Sequence, residues 1–194
     1  MNLAELVSRS CSGDVAAFNE LVVAHQQLVY NVAYRMLGDR GLAEDATQEA
    51  FLAAYRGLAK FRGGDFRAWL LRIAANACYD QLRRSSKRTH LSLDELTADT
   101  PNRLPLADPA ESPEDRVLNK ETRLAIERGL ARLAPDQRLI IILCDVQGLS
   151  YDEAAAATGA SLGTVKSRLS RARSRLRDYL VRHEEPFVER FRHR

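Results

Sequence analysis

Residues 150–177 constrain this chain more than any other stretch. Ser150 stands three residues before Glu153, the spacing at which each side chain satisfies the other's free backbone N–H at a helix start. The run Ala154 to Ala157 makes a thin helix, and Gly159 suits the left-handed turn that ends it. Ser161 can then cap a second helix. At about 100° per residue, Leu162, Val165, Leu169, Ala172 and Leu176 fall on one apolar stripe. Gly163, Thr164, Ser167, Ser170, Arg171 and Ser174 point the other way, and no acidic residue lies between Thr164 and Arg177. Lys166, Arg173 and Arg177 line one edge of the polar face, and Arg168 and Arg175 the other. A solvated basic helix with a core-facing stripe has the same periodicity. The capped partner helix at helix-turn-helix spacing favours a helix seated in the major groove, its edges on phosphates and its centre on bases.

Composition excludes several classes. Hydrophobic residues make up 45% of the 194, enough for a real core, while 7% aromatics and 10 glycines argue against a β-rich fold. No apolar run approaches the roughly 18 residues of a membrane span, and the start has no secretory pattern. The expectation is a soluble, cytoplasmic protein with no membrane insertion. Cys11, Cys78 and Cys144 are far apart and odd in number, fitting neither disulfides nor zinc. His25, His90, His183 and His193 are scattered, and no nucleophile cluster accompanies them. No catalytic residue, metal or cofactor is expected, and the chain reads as a non-enzyme.

Charge is distributed in blocks. Residues 1–88 hold 12 basic and 9 acidic residues, 91–113 one basic and five acidic, and 114–194 sixteen basic and twelve acidic. Two mildly basic blocks joined by an acidic strip suit two nucleic-acid-facing modules and a linker. The strip 89–113 carries Pro101, Pro105, Pro109 and Pro113 and lacks a helical period, so it reads as a flexible tether with at most a turn near Leu93 to Leu96. Ser112-Pro113 then opens a helix. In the first block Asp14 can cap a helix that runs toward Leu37, and residues 38–41 break it. The next helix, Ala43 to Tyr55, uses Ala43, Ala46, Ala50, Phe51 and Ala54 as its apolar side. Asp45, Gln48, Glu49 and Leu52 form a separate acidic and polar stripe, which spacing alone would leave as solvated surface. A loop from Lys60 to Phe66 leads into a helix bearing Trp69, read as a core anchor before a base-stacking residue. The fold class is all-α, two helical domains on a flexible linker: 1–88, linker 89–113, 114–180, and a tail 181–194.

Asp45-Ala46-Thr47-Gln48-Glu49-Ala50-Phe51 resembles the polymerase-binding signature of bacterial sigma-70-type factors. Trp69-Leu70 with Ile73, Asn76, Asp80 and Arg83 resembles the adjoining promoter-melting helices. Gly148 to Tyr151 and Gly163 to Leu169 resemble the family's C-terminal helix-turn-helix. The layout is similar to that of extracytoplasmic-function (ECF) sigma factors, over roughly residues 14 to 180.

The resemblance implies a sigma region 2 bundle in 1–88 and a region 4 helix-turn-helix in 114–180. It implies a dissociable initiation subunit that binds core RNA polymerase through the largest-subunit coiled coil and the flap, directs it to promoter DNA and helps melt the minus-ten element. It carries polymerase binding to Asp45, Gln48, Glu49 and Leu52, with Ala46 smaller than the branched residue common there. Minus-ten contacts fall to Phe61, Phe66, Asn76, Arg83, Arg84, Lys87 and Arg88, with Phe61 or Phe66 walling a pocket for an extruded base. Minus-thirty-five contacts fall to Thr164, Lys166, Ser167, Arg168, Ser170, Arg171 and Arg175. Control by a separate anti-sigma factor is implied too. A plain helix-turn-helix regulator would leave the Asp45–Phe51 signature unused, and a sigma mimic acting only by protein contact would leave the basic helix unused.

Overall fold

The computed structural model describes residues 2–91 and 113–183, with side chains for 2–86 and 121–183. Among these residues every regular element is helical. They are α1 (Leu3–Cys11), α2 (Val15–Leu37), α3 (Arg40–Gly57), a short 3-10 turn (Leu58–Lys60), α4 (Phe66–Leu91), α5 (Pro113–Ala131), α6 (Pro135–Ile141), a π turn (Ile142–Val146), α7 (Tyr151–Thr158) and α8 (Leu162–His183). The expected all-α class holds. The turn near Leu93 to Leu96, the Ser112 cap and the tail beyond His183 lie outside the described residues, although Pro113 does open α5.

Local chemistry sets the ends of the N-terminal helices. Asp14 caps α2 by accepting from the Ala17 N–H at 3.0 Å, and Arg9 of α1 grips the same carboxylate at 2.7 Å. The Ala17 N–H, then Arg9, hold the Asp14 carboxyl below the usual range. Gly38, at φ 73°, stops α2 in the left-handed region, and Asp39 caps α3 through the Leu42 N–H at 2.7 Å. Ala43, Ala46, Ala50 and Ala54 are at most 1% exposed. Because this face of α3 carries only methyl groups, α2 and α4 both pack closely on it. Leu21, Val29, Val32 and Met36 of α2 and Leu70 and Leu71 of α4 fill the space between. Cys78 is buried with them, its thiol pushed up to about 12 by desolvation, so it behaves as a small apolar side chain. Helix α1 went unforeseen; its Leu6 and Val7 close the end of this core.

The second group packs α8 on α5, α6 and α7. Ile140, Ile142, Leu143, Val165, Leu169 and Ala172 form its centre. Gly129 lets α5 approach α8: a Cβ there would stand 2.5 Å from Leu176 Cδ1. The Ser150–Glu153 capping box forms as the spacing requires, with the Ser150 N–H donating to Glu153 Oε2 at 2.7 Å and the Glu153 N–H to Ser150 Oγ at 3.2 Å. Gly159 ends α7 at φ 67°, and Ser161 caps α8 through the Thr164 N–H at 3.2 Å.

Ser150, through its hydroxyl and then its N–H, holds the Glu153 carboxyl below its ordinary range. A depressed acid stabilises the fold above its unfolded pKa of about 4.3 and loses that contribution as pH falls through the lower folded value. Ser150→Ala is therefore expected to cost about 1 kcal/mol at neutral pH. As pH falls through the lowered folded value the gap between variant and wild type narrows, since protonation removes what the Ser150 hydroxyl contributes to the charged carboxylate. Denaturant midpoints of the two chains at neutral and acid pH check this.

The two helical groups also touch. Helix α4 packs on α7, and α2 meets α5 and α6. Arg67 Nη2 donates to the Gln147 carbonyl at 2.7 Å. Arg138, in the middle of α6, donates to the carbonyls of Leu130 and Ala131 at the end of α5, of Leu133 in the turn that follows, and of Met36 at the end of α2. A guanidinium placed on two helix C-termini meets the negative ends of both dipoles.

Candidate functional site

Three surfaces carry the residues singled out above. On α3, Asp45, Gln48 and Leu52 are exposed, Leu52 to 56%. Glu49 differs: it turns toward α4, where Arg84 Nη1 donates to its Oε1 at 2.7 Å and Gln81 Nε2 at 3.4 Å. The stripe thus splits into an outward part, unpaired among the described residues, and one half-exposed residue paired with α4. Beside the outward part runs an open groove of about 530 Å³ between α2 and α3, lined by Val15, Phe18, Val22, Phe51, Leu52 and Tyr55. Val15 and Tyr55 stand 52% and 46% exposed. Sequence reasoning missed the α2 half of this groove. The available signal was an apolar residue, Val15, lying off the buried stripe of its own helix.

The second surface is on α4 and the loop before it. Phe61, Phe66 and Trp69 form one cluster, with ring centroids 5.0 to 5.9 Å apart, and His25 meets Phe66 edge-on at 5.5 Å. Phe66 is only 4% exposed, held by these rings and by the core. Of the two phenylalanines named for the pocket wall, Phe66 is therefore packed into the core and Phe61 retains partial exposure. Trp69 is half-buried in the same cluster, as an anchor would be. Asn76 is exposed and opens onto a cleft of about 530 Å³ shared with Tyr79, Asp80, Arg83 and Pro135. Pro135 belongs to α6, so the second helical group forms one wall of this cleft. Arg83 pairs with Asp80 at 3.1 Å, one turn back. Lys87 and Arg88 ride on the end of α4, and their side chains lie outside those described.

The third surface is α8. Val165, Leu169, Ala172 and Leu180 are buried, which turns Lys166, Ser167, Ser170 and Arg171 outward. Arg171 lies along the exposed face, donating to the Ser167 carbonyl at 3.1 Å and to Ser167 Oγ at 3.3 Å. Other members of the set have partners within the fold. Thr164 Oγ1 bonds Ser161 Oγ at 2.9 Å in the helix cap. Arg168 pairs with Asp136 at 3.1 Å and Arg175 donates to Gln137 Oε1 at 2.9 Å, both on α6. Arg173, read from the helical wheel as a flanking cation, forms a two-pronged pair with Asp145 in the π turn; that carboxylate raises its pKa. Of the residues read as DNA-facing, Lys166, Ser167, Ser170 and Arg171 are the exposed ones whose bonds stay within α8.

Among the described residues no group of three or more His, Cys, Asp or Glu could hold a metal ion, and no helix is long and apolar enough to cross a membrane. The surfaces are equipped to bind: an apolar groove with a polar rim, a polar cleft beside an aromatic cluster, and a basic helix with small hydroxyl residues. Fold and site together define a helical protein of two packed groups, with a basic helix-turn-helix in the second and an open apolar groove on the first.

The comparisons with known proteins identify the class. The family model for sigma-70 region 2 matches residues 21–88, and that for sigma-70 region 4 matches 123–176. The ECF RNA polymerase sigma factor SigE of Mycolicibacterium smegmatis is 39% identical over 175 residues, covering 89% of this chain and 66% of that protein. The ECF RNA polymerase sigma-E factor of Escherichia coli K12 is 38% identical over 170 residues, covering 87% of this chain and 88% of that protein. Among solved structures, CnrH in complex with the cytosolic domain of CnrY matches at TM-score 0.67 and 27% identity, over 92% of this chain and 97% of that one. RpoE in complex with the anti-sigma factor NepR from Bartonella quintana matches at 0.64 and 29%, over 86% and 98%. The chain belongs to the ECF sigma factors of the sigma-70 family. It is accordingly a non-catalytic specificity subunit of RNA polymerase that acts in transcription initiation.

Proposed function

We propose that each surface carries one task of initiation. The α3 face, with Asp45 and Gln48 as polar rim and Leu52 beside the groove, docks on the coiled coil of the polymerase's largest subunit. Region 4 meets the flap. Phe61 and Asn76 capture an extruded minus-ten base, with Arg83 and Arg84 on the strand backbone. Helix α8 reads the minus-thirty-five element, and the domain limits are those given above, 1–88 and 114–180. The observation that carries this reading is the outward presentation of Lys166, Ser167, Ser170 and Arg171 on a helix whose opposite face buries Val165, Leu169 and Ala172.

The two promoter elements lie about 25 base pairs apart by their names, on the order of 80 Å at about 3.4 Å per base pair. Helices α4 and α7 are packed together here, and Pro135 walls the Asn76 cleft. Engaging both elements at once requires the two modules to separate along the tether. Work on promoters places the chain in the cytoplasm. Capture by an anti-sigma factor, as in the RpoE–NepR complex, is the matching form of control.

Arg171→Ala is expected to reduce discrimination between matched and scrambled upstream elements by about 1–3 kcal/mol, the worth of a two-pronged guanine contact. Arg175→Ala, which loses a bond to Gln137, changes discrimination little. Competition binding of the polymerase complex on the two DNAs measures both. Equal losses on both DNAs for the two variants would overturn the Arg171 assignment.

A further inference from the structure

The Glu49–Arg84 pair joins two surfaces that the proposed function keeps apart. Glu49 sits in the α3 stripe assigned to polymerase, and Arg84 sits on α4 among the residues assigned to the minus-ten strand. Their atoms meet at 2.7 Å across 35 residues of sequence. Gln81, only 7% exposed, approaches the same carboxylate oxygen from α4 at 3.4 Å. Both bonds fall on Oε1, which leaves Oε2 without a partner among the described residues. Glu49 raises the Arg84 pKa, first through the hydrogen bond and then through its charge, so the pair is electrostatically engaged as well as close. Both side chains remain substantially exposed, 56% for Arg84 and 39% for Glu49, so each is within reach of an outside partner. An exposed pair of this kind is weak and can be exchanged at small cost.

We propose that Glu49 is a positioning residue for strand capture, holding Arg84 away from DNA until polymerase docks. In the free chain the carboxylate occupies the guanidinium. When polymerase engages the α3 face, a basic group of the partner takes the Glu49 carboxylate. Arg84 is released to a phosphate of the displaced strand. The two states differ in one exchanged ion pair, and coupling of this kind is reciprocal: strand binding tightens polymerase binding by the same factor. The inference rests on the assignment of these two surfaces under the proposed function.

The test uses the full chain and the non-template single strand of a promoter at which the wild-type chain and core polymerase initiate. Strand affinity is measured for wild type, Glu49→Gln, Arg84→Gln and the double variant, each free and bound to core, with thermal unfolding as a check on folding. Glu49→Gln is expected to tighten strand binding by the free chain up to about fivefold, the range an exposed pair can command. In the Arg84→Gln background the same change has little effect, whereas Arg84→Lys, which keeps a cation facing Glu49, restores it. Bound to core, wild type and Glu49→Gln hold the strand alike. A support role for Glu49 gives the opposite sign, weaker strand binding by free Glu49→Gln, and overturns the proposal. An equal gain with and without Arg84 reduces Glu49 to a bystander charge and overturns it as well. If the wild-type chain gives no initiation at any promoter, the reading of the two surfaces fails first and this inference with it.

Discussion

Leu52→Asp is expected to lower affinity for core polymerase by about thirtyfold or more while leaving the chain folded. Leu52 is 56% exposed and touches the groove between α2 and α3, so replacing it disturbs no packed interior. A carboxylate at the centre of an apolar contact is desolvated without a partner when the surfaces meet. Central interface anchors of this sort commonly carry about 2–4 kcal/mol. Asp45→Asn, at the polar rim, is expected to lose less, since rim charges act mainly on the encounter rate and its salt dependence. Equilibrium binding to core polymerase, with circular dichroism as the folding check, separates the two. Wild-type affinity in Leu52→Asp would remove α3 from the interface.

Arg138→Met is expected to have the largest effect on stability, about 2–4 kcal/mol. The guanidinium serves four carbonyls, three at the end of α5 and in the turn after it and one at the end of α2, and burial lowers its pKa. Methionine fills similar space and leaves those oxygens without their donor. The loss divides in an informative way. The first three bonds hold region 4 together, while the bond to Met36 ties region 4 to region 2. Unfolding of the isolated 114–183 segment and of the full chain, each with and without the substitution, measures the two parts. An effect below about 0.5 kcal/mol in the full chain would mean that water replaces the arginine freely.

The sequence was most legible where the determining contacts are local. Ser150 and Glu153 are three residues apart, Gly38 and Gly159 each end the helix they follow, and the alanines of α3 repeat at helical spacing. Such features read directly as caps, stops and a close-packed face. A helical wheel tells which way a side chain leaves its helix but not what stands opposite. Arg173 looked like a flanking cation until Asp145, 28 residues earlier, proved to hold it. Glu49 looked like its neighbours in the α3 stripe, yet Arg84 of α4 pairs with it. Phe61 and Phe66 were interchangeable as loop aromatics. Trp69 packs on both, and it is His25, against Phe66 alone, that marks the buried ring off from the half-exposed one. The groove between α2 and α3 and the contact of α4 with α7 belong to pairs of helices; periodicity within one helix hints at the groove only through Val15 and carries no trace of the α4–α7 contact.

The central claim is that this chain brings polymerase to promoters through its two modules. The most direct measurement is transcription in vitro with the purified chain, bacterial core polymerase and a pool of upstream DNA from its own genome, mapping the 5′ ends made. The account predicts discrete start sites that require the chain, lose most of their signal with Leu52→Asp, and share an upstream element whose use depends on Arg171. Specific DNA binding by the chain alone, with no start sites added to those of core polymerase, would contradict it.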